Sequence, residues 1–370
     1  MNLSGFLEVL KKYDFTFFGI CGAIFLMGIV NLYSATHASA SVHLASIYKT
    51  QLLYFFASIT VGMAISFIQP KNFYRYSVLF YLLTIFLLVL VLFLGHKGMG
   101  AQRWIVLGPL RLQPSEITKL SVIFVLARFF AKYNPDKELG LRDLLVPFLM
   151  AAVPTILIIL EPDLGTGLLI LLIFMAIAFY RKLKWKTIAV IGILGMLSGV
   201  VMYNFGLKEY QKKRVLTFLN PGSDARGSGY NAIQSKIAIG SGKFLGKGFK
   251  KSSQASLNYL PENHTDFVFS IFNEEHGFFG ALFLIALYLI LFIRFIWLAT
   301  SVTRIFDSIV VIGITALFFW HTIINMAMVT GMLPIVGLPL PFMSYGGSSL
   351  MTFGICCGVA TSISNSRNLF

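Results

Sequence analysis

Long apolar runs recur along this chain, separated by short polar stretches. A helix needs about 20 apolar residues to cross a hydrocarbon core roughly 30 Å thick. On that measure the pattern predicts ten spans, at about 15–34, 51–68, 76–94, 114–131, 144–160, 164–180, 187–205, 267–293, 307–329 and 346–364. The runs lack the period-two alternation of barrel strands, so helices are expected to do the spanning. The expected fold is all-α: a polytopic membrane protein with one transmembrane domain over residues 1–370. No internal repeat is evident, and the breaks at 161–167 and 331–348 share no pattern, which weighs against an inverted-repeat transporter.

Composition agrees. The chain is 57% apolar and only 12% charged, with mean hydropathy +0.79; an ordinary soluble domain is about 25% charged. The net charge of +15 does not call for nucleic acid. The basic residues lie between spans, where topology and anionic lipid explain them, and no nucleic-acid partner is expected. Lys11 and Lys12 precede the first run as in a signal peptide. That run is too long for an h-region and lacks a small-residue cleavage site, so an uncleaved span is expected. Cys21, Cys356 and Cys357 sit inside apolar runs without metal spacing and read as packing residues.

Positive charge in short loops sets orientation. With the N-terminus inside, the inner segments carry fifteen Lys and Arg, the stretch RKLKWK (181–186) prominent among them. The short outer loops carry four: Lys49, Lys97, Arg103 and Arg111. Both termini are therefore expected in the cytoplasm. One extracytoplasmic loop of about sixty residues, about 206–266, joins the seventh and eighth spans and holds ten Lys and Arg. Long loops escape the charge rule, and in a compact bundle they are usually functional. Its basic character calls for an anionic partner, either lipid headgroups or a phosphate-bearing substrate.

Four outward-facing patches then line up. In GAQRWIVLGPLRLQPSEITKL (100–120), Pro114 opens a helix and Glu116 and Lys119 follow on one face. An intramembrane Lys must be paired or wetted. Either the two form a local pair that orders the helix, or both line an outward cavity with Arg103 and Arg111. In EPDLGTG (161–167), Asp163 heads the next helix as a cap, and an ion pair with Lys119 is a further expectation. In PENHTDFVF (261–269), Thr265 caps the eighth helix and Asp266 falls in its first turn, with Glu262 and His264 beside them. Glu274 and Glu275 continue into the bilayer, where at least one should face the bundle interior. In GLPLPFMSYGGSS (337–349), the prolines bar regular helix. Ser344, Gly346, Gly347 and Ser348 then open the last span with backbone N–H groups suited to a phosphate, or fold as a packing loop.

These four stretches and GYNAIQSKIAIGSGKFLGKGF (229–249), taken in order, resemble the SEDS family (shape, elongation, division and sporulation). The resemblance covers essentially the whole chain. It is greater to the RodA-type elongation branch than to the FtsW-type division branch, on the short N-terminus and QSKIAIGSG. Departures are EPDLGT where QPDLGT is usual, and Asn263–His264 in a variable part of the loop. The resemblance implies a glycosyltransferase that polymerises lipid II into β-1,4 glycan strands on the outer face of the cytoplasmic membrane, with undecaprenyl pyrophosphate leaving. The family's essential aspartate falls on Asp266.

That chemistry suits the residues. A sugar hydroxyl needs a base, which a carboxylate can be, and the pyrophosphate needs positive charge. Arg103, Arg111, Lys119 and the basic loop are candidates, unranked. The six His are scattered without helical pairing, so a metal, if used, is expected to be Mg²⁺ or Mn²⁺ held largely by substrate phosphate. The resemblance implies a class B penicillin-binding protein as crosslinking partner, and nothing in the chain resembles a periplasmic transpeptidase domain. Competing readings are a lipid II flippase, a scaffold without activity, or the division paralogue. Clustering of charge toward the outer side favours chemistry there over transport.

Overall fold

The computed structural model describes residues 13–37, 42–98, 101–107, 110–134, 136–206, 209–224, 227–257, 259–262 and 264–369. Lys11, Lys12 and Asn263 lie outside the described residues.

Every predicted span coincides with a helix: α1 (Thr16–Thr36), α2 (Val42–Ser66), α3 (Pro70–Leu94), α4 (Pro114–Phe130), α5 (Leu141–Leu160), α6 (Leu164–Tyr180), α7 (Trp185–Val201), α11 (Val268–Ser301), α12 (Ile305–Thr330) and α13 (Gly347–Leu369). Among the described residues, seven have the length and apolarity to cross a membrane. The other three are α2, α4 and α6. Two of these, α4 and α6, are 17 residues long, about 25 Å at 1.5 Å per residue. Helix α2 carries Lys49 and Gln51 near its start.

Two features depart from an all-α reading. Strands β1 (His96–Gly98), β2 (Ala101–Leu107) and β3 (Leu110–Leu112) form a three-stranded antiparallel sheet before α4. The stretch 206–266 is also no open loop. It contains α8 (Glu209–Leu219), α9 (Ser228–Ser241) and the short α10 (Ser253–Ser256), and it packs into the bundle. Ser235 of α9 bonds Ser270 Oγ (2.7 Å) and Val329 O (2.6 Å).

Helix α12 is the hub, buried along most of its length and packed on α4, α6 and α11. Helices α2 and α13 touch through small residues, which lets backbones approach where no hydrophobic drive operates between helices. A Cβ on Gly354 would lie 2.6 Å from Ser58 O, and one on Gly358 would overlap Gly62. All three cysteines are buried and free. Cys21 Sγ of α1 lies 3.4 Å from Cys357 Sγ of α13, a packing role as expected.

Helix α11 is broken at Gly277, whose φ of 64° and ψ of −161° are not helical. The contacts of α1 show how the two parts run. Asn31 donates to Val268 O (3.1 Å), while Ser34, nearer the end of α1, donates to Glu275 Oε1 (2.5 Å). At the other end Arg294 pairs with Asp14. Val268–His276 is therefore a half-helix that rises obliquely to the rim, and Gly277–Ser301 descends through the bundle. Asp266, just before the half-helix, sits below the rim.

Candidate functional site

Asp266 precedes α11 rather than lying in its first turn. The helix is capped by Phe267 without a side-chain bond, and Thr265 turns instead onto Glu262, through its backbone O (3.3 Å) and Oε2 (3.0 Å). A Glu262 φ of +56° tightens this turn and holds the motif out of helical register. Asn325 Nδ2, on α12, donates to Asp266 O (3.0 Å) and Leu338 O (2.7 Å). Asn325 lies five residues short of Thr330, the end of α12, which places Asp266 roughly 7 Å below the rim.

The Asp266 carboxylate abuts Gly337, where an added Cβ would lie 3.3 Å from Oδ2. Among the described residues no side chain hydrogen-bonds it, so it remains open to a ligand's proton. Burial, with Glu262 adding to it and Arg214 of α8 opposing, raises its pKa to about 6. The acid is thus poised near neutrality. His264 sits beside it, its O accepting from Tyr345 N (2.9 Å) and its Nε2 4.0 Å from Glu262 Oε2. Burial lowers the His264 pKa, Glu262 partly offsetting it.

Glu116 and Lys119 pair as the local reading expected, at 2.8 Å and both buried. The pairing of Lys119 with Asp163 does not form. Asp163 is occupied as N-cap of α6, accepting from Thr166 N (3.2 Å) and Oγ1 (3.0 Å), with Gln113 Nε2 at 3.4 Å. The second partner of Lys119 is His321 Nε2, at 3.0 Å.

Arg103 is tied to backbone. Its Nε donates to Glu161 O (3.0 Å) and its NH2 to Pro162 O, closing the tight turn between α5 and α6. Arg111 lies in β3 opposite Val106. Glu161, 1% exposed, has neither carboxylate oxygen bonded among the described residues. Burial first, then the Asp163 charge, push its pKa up to about 8 against the pull of Arg103. The fold therefore holds this acid neutral at pH 7. A raised carboxylate pKa contributes stability that is present below the unfolded value and lost as pH rises through the folded one. Between roughly pH 4.5 and 8 wild type should lose stability that Glu161→Gln keeps. At pH 8 the variant should be more stable by on the order of 1–3 kcal/mol. Melting curves from pH 5 to 9 test this; a constant offset between the two proteins would contradict it.

In the last loop, Gln51 of α2 donates to Ser344 O (3.0 Å) and accepts from Gly346 N (3.3 Å). Ser344 Oγ accepts from Leu340 N (2.9 Å), and Ser348 Oγ from Gln113 N (3.3 Å). The Gly346 N–H and the Ser344 hydroxyl are thus committed to the fold. Gly347 and Ser348 begin α13 and keep the N-terminal position suited to an anion.

Glu274 and Glu275 are both buried, more than the sequence reading asked. Glu274 is enclosed by Lys247 Nζ (2.5 Å), Ser252 Oγ, and Ser253 through N (3.0 Å) and Oγ (2.8 Å). Glu275 binds Ser34. The basic segment 243–253 is strapped over the break in α11 by these acids and by backbone bonds, Lys247 N to Glu274 O (2.9 Å) and Phe278 N to Lys243 O (2.9 Å).

The structure thus groups Glu262, His264, Thr265 and Asp266 with the 337–348 loop, and links Glu116 and Lys119 to that loop through His321. Arg103 and Asp163 serve the neighbouring α5–α6 turn. Sequence reading missed Gln51, His321 and Asn325. Each is a polar residue in an apolar run, a signal that marks function or buried pairing.

Fold and site define a multi-helix protein of membrane type with an acid recessed at one end of the bundle. The family model FTSW_RODA_SPOVE, described as cell cycle protein, matches residues 15–369, and the chain belongs to that family. It is 39% identical over 303 residues to the peptidoglycan glycosyltransferase MrdB of Escherichia coli (strain K12), covering 82% of this chain and 81% of that one. It is 36% identical over 326 residues to the MrdB of Helicobacter pylori, covering 86% and 84%. The crystal structure of the Thermus thermophilus rod shape determining protein RodA superposes with TM-score 0.72 at 26% identity, over 97% of this chain and 98% of that one. A chain from a peptidoglycan synthase complex that coordinates polymerization and crosslinking gives 0.82 at 28%, over 97% and 99%.

Proposed function

We propose that the chain is a peptidoglycan glycosyltransferase of the elongation type, RodA-like, that polymerises lipid II at the outer face of the cytoplasmic membrane. All ten predicted spans cross, both termini are cytoplasmic, and the recess opens outward. The observation that carries the reading is Asp266: a carboxylate below the rim, unbonded among the described residues and with pKa raised to about 6. A base of this kind, near the working pH, is what activation of a sugar hydroxyl requires. Relatives at 39% and 36% identity are named for this activity.

In the reaction, the 4-hydroxyl of a GlcNAc on one lipid II meets the anomeric carbon of a MurNAc on another lipid-linked glycan. Asp266 takes the hydroxyl proton as the new C–O bond forms. The bond to phosphate breaks, and undecaprenyl pyrophosphate leaves with the electron pair. One displacement inverts α to β, so no second carboxylate nucleophile is needed. Positive charge for the leaving group comes from the basic outer segment, with Arg214 felt directly by Asp266, and from the start of α13.

Among the described residues no three His, Cys, Asp or Glu converge as a metal cage. A divalent cation, if used, would be held largely by substrate phosphate and water. When bound, Mg²⁺ or Mn²⁺ would neutralise the leaving pyrophosphate. A class B penicillin-binding protein as partner is supported by the likeness to a chain of a synthase complex.

Proteoliposomes holding fluorescent lipid II separate this reading from a flippase. Glycan ladders without transbilayer movement of label are expected. Movement without ladders, in a preparation supplied with an active partner, would overturn the reading.

A further inference from the structure

Lys119 is a buried cation that the polymerisation chemistry leaves without a role. It is 0% exposed, as is His321, and Glu116 is 4% exposed. Its Nζ lies 2.8 Å from Glu116 Oε1 and 3.0 Å from His321 Nε2. On the far side of the ring, His321 Nδ1 lies 3.1 Å from Pro339 O. A carbonyl can only accept, so Nδ1 carries the proton and donates to it. An ammonium can only donate, so Nε2 presents its lone pair to Lys119. Both contacts are satisfied together by the neutral Nδ1–H tautomer. The Nε2–H tautomer and the imidazolium would each break at least one of them.

The segment this ring holds is the wall of the site. Pro339 and Pro341 have no N–H, so the 337–341 stretch cannot fix itself by a regular ladder. It is held from α12 at two successive carbonyls, Leu338 O by Asn325 and Pro339 O by His321. These two residues are one helical turn apart, four positions along α12. Asn325 also holds Asp266 O, and Gly337 at φ +79° packs on the Asp266 carboxylate. Phe353 closes the ring edge-on at 5.2 Å, and Cys356 on α13 is a further titratable group near Lys119 and Glu116.

We infer that Glu116, Lys119 and His321 form a relay that positions the 337–341 loop against Asp266, Lys119 acting by fixing the His321 ring rather than by binding pyrophosphate. This rests on the glycosyltransferase reading for its kinetic consequences, but not for its geometry. The cation is spent internally, on a carboxylate and an imidazole. A substrate phosphate would have to compete with both at a fully buried atom.

Two imidazole surrogates discriminate. The amide nitrogen of Asn falls near the place of Nδ1, and the amide oxygen of Gln can take the place of the Nε2 lone pair. His321→Gln keeps reach to Lys119 but loses the donor to Pro339, and kcat should fall about 10–100-fold with KM for lipid II within about 2-fold. His321→Asn restores that donor and should recover most of the lost kcat. Lys119→Met alone leaves Glu116 as an unpaired buried charge and can fail to fold. The neutral pair Glu116→Gln with Lys119→Met should fold, lowering kcat and leaving KM unchanged. A loosened loop admits water to Asp266, so in the Gln and pair variants the pH–rate midpoint should fall from about 6 toward the ordinary carboxylate value of roughly 4. A pair variant whose KM rises about 10-fold at unchanged kcat would make Lys119 a phosphate ligand and overturn the proposal. So would Gln and Asn variants of equal activity. Independently of any activity, ¹⁵N-histidine spectra of the protein in lipid should show His321, assigned by its loss in His321→Gln, as the neutral Nδ1–H tautomer between about pH 5 and 8. An Nε2–H tautomer or an imidazolium there would end the proposal even if the glycosyltransferase reading stands.

Discussion

Asp266→Asn is expected to lower glycan polymerisation by about 10²–10⁴-fold, the range associated with a positioned general base. Asn keeps the shape, and the Asn325 bond to the backbone of residue 266 is indifferent to the side chain. What disappears is the acceptor for the hydroxyl proton. The same change should leave the fold intact or firmer. The folded pKa of Asp266, about 6, lies above the ordinary 3.8, so this group lowers the stability of the fold as pH rises through that interval. Removing its charge should raise the melting temperature at pH 7 by an amount worth on the order of 1–3 kcal/mol. Loss of activity together with unchanged or greater stability separates a chemical role from a structural one. Activity retained by a stable Asn variant would move the search to Glu262.

Gly277→Ala is the second large effect. The backbone there has a φ of 64° and ψ of −161°, a region essentially reserved for glycine, and forcing another residue into it costs about 1–3 kcal/mol. The new Cβ would also meet backbone of the strap, 2.6 Å from Phe244 O and closer still to Gly246 N. Neither atom is the tip of a flexible side chain, so the strap must lift. Lifting it strips Lys247, Ser252 and Ser253 from Glu274. A buried charge that loses its partners costs about 3–5 kcal/mol. The expected result is a melting temperature lowered by several degrees and new proteolysis between Lys243 and Lys251, with activity falling because Val268–His276 carries Asp266 at its start. An undisturbed protease pattern would show that the strap is not held by this break.

The strap also shows where reading along the chain stops. Apolar runs long enough to span were legible, because burial in lipid allows little else, and each became a helix. Pro114 as a helix start and Asp163 as a cap were legible from local chemistry alone. The break at Gly277 was not, since one glycine in an apolar run leaves the hydropathy pattern unchanged. Glu274 and Glu275 were recognisable as acids needing partners, but those of Glu274 arrive from a basic segment read as an extracytoplasmic loop for an anionic partner, and that of Glu275 from α1. Thr265 and Asp266 matched a helix-start pattern, and the left-handed turn at Glu262 overrode it. For Lys119 local spacing offers Glu116, and the neighbouring EPDLGTG stretch offers Asp163 as a further partner. Glu116, one turn away, holds it as that spacing allows, while the second partner is His321, from across the bundle, rather than Asp163. His321, Asn325 and Gln51 bind carbonyls of the last loop, a pairing that depends on tertiary proximity and leaves no trace in spacing.

The central claim is that Asp266, recessed at one end of the bundle with a raised pKa, takes the proton during glycan polymerisation. The most direct test is the pH dependence of the polymerisation rate of the purified protein on lipid II, under conditions where chemistry limits. The account predicts a rate that rises with pH through a midpoint near 6 and then levels, as the carboxylate form fills. A rate that is flat across that interval, or that falls as pH rises through 6, would contradict it.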